Sequence, residues 1–209
     1  MNETQAIEIL QQHQSILRDT HVVYTSGRHG NAYINKDAIY PHVAAVSALC
    51  QGFAEHFAAA KPEIVAAPAI GGIVLAQWTA FHLADVIAAP LFVYAEKSAS
   101  GGFELRRGYD RLVNGKSVLV VEDILTTGGS LKATIEAVRQ AGGNVVGAAA
   151  LCNRGNVSPA DVGNPPDLFA LTHMQLETWD EADCPLCRDN VPINTDVGKG
   201  REFLERKNA

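Results

Sequence analysis

The stretches EIVAAP, PLFVYA, SVLVV, NVVGAAALC and DLFAL recur between Glu63 and Leu171, and each is apolar at nearly every position rather than at every second one. A strand of this kind has both faces buried, so it does not fit a sheet with one wet side. Between the stretches lie segments with helical spacing, one running to about Leu83 and one from Ser130 to about Ala141. Buried strands alternating with helices predict an α/β fold, a parallel sheet flanked by helices. With 209 residues, 47% of them hydrophobic, and no low-complexity linker, the chain has enough apolar material for one sizeable core.

The first forty residues read differently. Asn2 and Gln5 have the spacing of a capping box, and Ile7, Leu10 and Leu17 follow at helical spacing, which predicts an amphipathic N-terminal helix. From Val22 to Tyr40, β-branched and aromatic residues surround SGRHGN, the pattern of short strands and a turn. Pro41 then suits the first turn of a helix.

A formal net charge of −6 excludes a general attraction to nucleic acid or to an anionic membrane, so any anionic ligand has to be held by local cations. No stretch has the length of a membrane span, and the N-terminus lacks the basic-then-apolar pattern of a signal peptide; a cytoplasmic location is expected. Cys50 and Cys152 sit in apolar segments and read as buried, reduced thiols.

The most informative stretch is VLVVEDILTTGGS, Val118 to Ser130. An apolar strand runs into two acids, Glu122 and Asp123, and then into Thr126, Thr127, Gly128, Gly129 and Ser130. Glycines permit a tight anion-binding turn, hydroxyls add donors, and the start of the following helix adds partial positive charge. It is not a Walker A loop, because no Lys follows the glycines, and it is not a G-x-G-x-x-G dinucleotide loop. In a parallel sheet such a loop lies at the carboxyl ends of the strands, where ligands gather.

Strand, acidic pair and TTGGS together closely resemble the signature of the type I phosphoribosyltransferases, which use phosphoribosyl pyrophosphate (PRPP). The resemblance implies that Thr126 to Ser130 hold the 5-phosphate, while Glu122 and Asp123 take the ribose hydroxyls and favour positive charge developing on the sugar. It implies a pyrophosphate loop at PAIGG, with amides near Ile70, Gly71 and Gly72. It also implies a mobile loop carrying Lys97, Arg106 and Arg107, with Lys97 the foremost catalytic cation. Mg2+ is expected mainly through PRPP, with no protein metal ligand, and a homodimer is expected.

Over nearly the whole chain the order of elements is most like the orotate phosphoribosyltransferases. TSGRHGNAYINK resembles their hood segment, and the Arg of LCNR resembles a residue that meets the pyrimidine. Orotate is thus the expected base, bound by Arg154, Tyr33, Lys36 and Thr126. The resemblance implies one domain over 1–209, with a hood from about 1–40 and a C-terminal extension at about 175–209. Thr25 stands where many members have a Lys before Ser-Gly-Arg, and no His follows Lys97 in the loop. Transfer to another base, or a PRPP-sensing regulator without catalysis, are the alternatives.

Cys184 and Cys187 have metal-clip or redox spacing. Zinc normally needs four ligands, and with no second C-x-x-C or close His pair, and only His173 as a possible third ligand, the pair reads as structural thiols. His13 and His82 read as structural.

Overall fold

Strand and helix propensity is resolved into two compact units in a computed structural model that describes residues 1–99 and 101–207. Helix α1 (Glu3–Gln12) opens the chain. Asn2 and Gln5 form the expected capping box: the Asn2 N–H donates to Gln5 Oε1 at 3.0 Å and the Gln5 N–H to Asn2 Oδ1 at 2.9 Å. The helix ends earlier than the apolar spacing predicts. Leu17 lies in β1 (Ile16–Val23), which continues through a turn into β2 (His29–Ile34).

The elements α2 (Lys36–Ile39), α3 (Val43–Phe57), β3 (Ile64–Pro68), α4 (Gly71–Leu83), β4 (Leu91–Lys97), β5 (Phe103–Glu104) and α5 (Tyr109–Val113) follow. Pro41 precedes α3 rather than entering its first turn. Then come β6 (Ser117–Leu125), α6 (Gly129–Gln140), β7 (Asn144–Asn153), β8 (Leu168–His173), β9 (Thr178–Trp179), α7 (Pro185–Arg188) and α8 (Gly200–Lys207).

The first unit, residues 1–7 and 42–174, holds a six-stranded sheet in the order β5-β4-β3-β6-β7-β8. All neighbours are parallel except β5, which pairs antiparallel with β4. The central strand explains the apolar patterning. Val118 and Val120 join Leu131, Ile135 and Val138 of α6 in one buried cluster, and Leu119 and Val121 on the opposite side of the strand are fully buried too. Burial pushes the Cys50 thiol up to about 12, which keeps it protonated, and Cys152 is raised for the same reason.

In the second unit, residues 8–41 and 175–209, of which 208 and 209 lie outside the described residues, β1, β2 and β9 form a small antiparallel sheet. Arg28, from the expected hood segment, acts within it as a strut: its guanidinium donates to the Thr178 hydroxyl at 3.0 Å, to the Thr178 carbonyl at 2.7 Å and to Asp180 at 3.0 Å. None of the helices among the described residues is long and apolar enough to cross a membrane.

At the amino ends of β3 and β6, Glu63 accepts from Lys116 Nζ at 2.8 Å and from the Ser117 N–H at 3.0 Å. These bonds, the Lys116 one first, lower its pKa from 4.5 to about 2. Because the folded value is depressed, the contribution to stability is present above the unfolded pKa and is lost as pH falls through the folded one. In urea unfolding, the native chain should therefore exceed Glu63→Gln in stability near neutrality, with the gap closing between pH about 5 and pH about 2. A gap of constant size over that range would contradict the assignment.

Candidate active site

Two helices begin side by side at the carboxyl edge of the sheet. The chain leaves β3 to one side, for β4, and returns on the other, for β6, so β3 and β6 flank the point where strand order reverses. Such a reversal leaves a crevice between the two following loops. Pro68 to Gly72 fills one side and Thr126 to Ser130 the other. The start of α4 sits close to β6, since a Cβ placed on Gly72 would come within 3.4 Å of the Val121 carbonyl oxygen.

The ladders on the two sides of β6 differ in length. With β7 it runs to Leu125, opposite Asn153; with β3 it stops at Val120, opposite Ala66. Glu122 and Asp123 therefore project where β6 has outrun β3. Both carboxylates are largely buried, at 6% and 7% exposure. Each is pinned through one oxygen by the next backbone N–H: Asp123 N–H to Glu122 Oε1 at 2.9 Å, and Ile124 N–H to Asp123 Oδ1 at 2.6 Å.

Beyond them, Glu122 and the run from Ile124 to Leu131 line a pocket of about 150 Å³. Gly128, with φ of 75°, caps α6 in the left-handed region, and a Cβ there would lie 2.5 Å from Val162 and 2.9 Å from Val157. The first intrahelical acceptor of α6 is the Gly128 carbonyl, which takes the Lys132 N–H at 2.9 Å. The N–H groups of Gly128, Gly129, Ser130 and Leu131 thus have no acceptor within the helix, and a twelve-residue helix dipole stands behind them. Thr126, Thr127, Gly129 and Ser130 are exposed at the pocket. The arrangement can hold a phosphate beside a polyhydroxyl group.

Across the other loop, Ile70 is exposed at its tip and Gly71 and Gly72 open the thirteen-residue α4, giving a second helix N-terminus for an anion. The Ala69–Ile70 peptide is cis.

Where a loop is expected after Lys97, the described residues form a hairpin. Lys97 pairs with Phe103, and the Ser98 N–H donates to the Gly102 carbonyl at 2.9 Å; Ser100, within this segment, lies outside the described residues. Arg107 meets Glu96 at 2.9 and 3.0 Å, and Arg106 meets Glu104. Lys97 is exposed and meets no carboxylate among the described residues.

Arg154 follows β7, and its Nε donates to the Thr126 hydroxyl at 2.9 Å, which brings together two of the residues expected at the base. Sequence reasoning missed Gly155. Its N–H and that of Arg154 both donate to the Leu125 carbonyl at 3.0 Å, and a Cβ on it would lie 1.7 Å from the Thr126 carbonyl oxygen. Only a glycine lets this turn lie against the cradle; a lone Gly after an Arg gives no sequence signal of that. Tyr33 and Lys36, both half-buried, belong to the second unit, in β2 and at the start of α2.

The profile of the phosphoribosyl transferase domain family matches residues 35–182. A protein of Chlorobium phaeobacteroides named orotate phosphoribosyltransferase is 32% identical over 194 residues, 93% of this chain and 95% of that protein. Another so named, from Desulforamulus reducens, is 36% identical over 192 residues, 92% and 95% of the two chains. The fold is similar to that of Mycobacterium tuberculosis orotate phosphoribosyltransferase in complex with PRPP, at 22% identity and a TM-score of 0.62, covering 82% of this chain and 95% of that one.

Gly155→Ala should cost about 1–3 kcal/mol in urea unfolding, because backbone has to move to admit the methyl group. Gly129→Ala, whose new Cβ meets only the Thr127 hydroxyl oxygen at 3.6 Å, should cost less than about 1 kcal/mol. Equal costs would show that the close approach at Gly155 does not constrain the fold.

Proposed function

This chain belongs to the phosphoribosyl transferase domain family, and on that premise we propose that it acts as an orotate phosphoribosyltransferase. It transfers the 5-phosphoribosyl group of PRPP to orotate, giving orotidine 5-phosphate and pyrophosphate, a step of pyrimidine nucleotide synthesis. The observation that carries the reading is the pair of largely buried carboxylates, Glu122 and Asp123, set beside a pocket at the start of α6.

Thr126, Thr127, Gly128, Gly129 and Ser130 take the 5-phosphate through N–H and O–H donors. Glu122 and Asp123 accept from the ribose hydroxyls and stabilise the positive charge that grows on the ring as its bond to pyrophosphate breaks. Amides at Ile70, Gly71 and Gly72 receive the leaving pyrophosphate, and Lys97, with Arg106 and Arg107, neutralises it. Arg154 and Thr126, already joined by a hydrogen bond, present a guanidinium to the orotate carboxylate. Tyr33 and Lys36 are kept as base candidates on the resemblance alone.

Mg2+ suits this donor set, since it takes one or two carboxylates with substrate phosphates and water, and Glu122 and Asp123 supply hard oxygens beside the pocket. When bound, it would offset the charge of the pyrophosphate. Exposed Phe81, Val86, Leu91 and Phe92 give the first unit an apolar surface that a second copy would cover, which supports a homodimer. We place the reaction in the cytoplasm and treat the whole chain as one enzyme, with about 1–40 as hood and about 175–209 as C-terminal extension on the resemblance alone.

Pyrophosphate release from PRPP and Mg2+ with orotate, adenine or hypoxanthine tests the base. Turnover with orotate alone is expected, and turnover with a purine but not orotate would overturn the assignment. Arg154→Ala should weaken orotate binding about tenfold or more while leaving PRPP binding unchanged. Lys97→Ala should lower kcat by about 10²-fold and alter ribose 5-phosphate affinity much less; equal losses would contradict its role at the leaving group.

A further inference from the structure

The two cysteines of CPLC do not stand alone. In the second unit His21 and His29 lie beside them, and the four ligand atoms all fall within 4.8 Å of one another. We propose that His21, His29, Cys184 and Cys187 form a structural zinc site that fastens residues 184–187 to the β1–β2 hairpin. None of the four residues lines the pocket of the proposed reaction, and the site does not depend on that reading.

The local structure explains the gathering. Val23 pairs with His29 across the hairpin, and His21 lies two residues before Val23, so strand alternation sets both imidazoles on one face, with ring centroids 5.0 Å apart. Cys184 and Cys187 are three residues apart around α7, the spacing that turns both thiols to one side. The Asn194 N–H donates to the His21 carbonyl at 2.8 Å and holds the segment after α7 on β1.

The geometry is that of a tetrahedral S₂N₂ centre. With Zn–S of about 2.3 Å and Zn–N of about 2.0 Å, the sulfur–nitrogen edges of a tetrahedron are about 3.5 Å. The observed edges are 3.6 Å from Cys184 Sγ to His21 Nε2, 3.7 Å from Cys187 Sγ to the same nitrogen, and 3.3 Å from Cys187 Sγ to His29 Nδ1. His21 Nε2 and His29 Nδ1, 2.8 Å apart, would open by about half an ångström to admit the ion.

Chemistry agrees with the distances. His21 Nδ1 lies 2.8 Å from the Val191 carbonyl oxygen, which leaves the Nε2 lone pair for the cluster; this is the outer hydrogen bond that metal-bound imidazoles commonly make. Two thiolates balance Zn2+, so a neutral unit is buried: His21, His29 and Cys184 are at 2% exposure or less. Phe203 of α8 closes one side, its ring edge-on to His29 at 4.9 Å. A hydrogen-bonded His pair beside two free thiols is the competing description, and the test separates the two.

Tag-free protein, purified without chelator and dialysed against metal-free buffer, should retain about one zinc per chain by elemental analysis. Replacing the metal with Co2+ should give thiolate-to-metal charge transfer and the intense visible absorption of a tetrahedral ion. Cys187→Ser, at the more exposed ligand, should reduce retained zinc at least tenfold and remove the charge-transfer band in proportion. The proposal is overturned if the native chain holds no zinc, gives no Co2+ thiolate band and exposes Cys187 to a thiol reagent at the same rate with and without added zinc. Because the Co2+ spectrum is read on the unaltered sequence, a misfolded variant does not blunt the test.

Discussion

The site depends on unequal pairing of a single strand. β6 is held by β7 along its whole length but by β3 only as far as Val120, and the residues beyond are supported on one side and open on the other. Backbone hydrogen bonding fixes where a carboxylate can be buried without losing access to a ligand. Glu122 and Asp123 occupy that interval; three residues earlier they would stand inside the full ladder, at the fully buried positions of Leu119 and Val120. The placement of the acids is thus a consequence of strand register, and the pocket at the start of α6 follows because the same strand must turn into that helix immediately afterwards.

The crevice also brings unlike electrostatic features close together. Helix starts at α4 and α6 attract anions, while the acids between them repel anions and attract hydroxyl groups or cations. A ligand with phosphate at both ends and a sugar in the middle matches that alternation. The hairpin cations are already engaged, Arg107 by Glu96 and Arg106 by Glu104, and Lys97 is the member without a carboxylate partner among the described residues.

Local features were legible in the sequence. The parallel sheet followed from uninterrupted apolar stretches, the capping box from Asn2 and Gln5, and the strand end, paired acids and turn into α6 from thirteen consecutive residues, Val118 to Ser130. What escaped depends on pairs distant along the chain. Gly155 matters only because its turn lies on Thr126, and Arg28 only because Thr178 and Asp180 reach it. The side chains gathered around the cysteine pair are His21 and His29, not His173, but Cys184 and His21 are 163 residues apart and no spacing rule connects them. The end of α1 was misjudged because Leu17 continues an apolar helical spacing while serving a strand.

The division of the chain also orders its synthesis. Apart from its first few residues, the first unit is one continuous stretch, 42–174, whereas the second joins 8–41 to 175–209. On the ribosome the β1–β2 hairpin emerges before the large sheet, yet its partners β9, α7 and α8 are translated after it. A two-stranded hairpin is marginal by itself, and the loop that its completion closes spans more than a hundred residues. The small antiparallel sheet is thus completed only after the whole of 42–174 has been made.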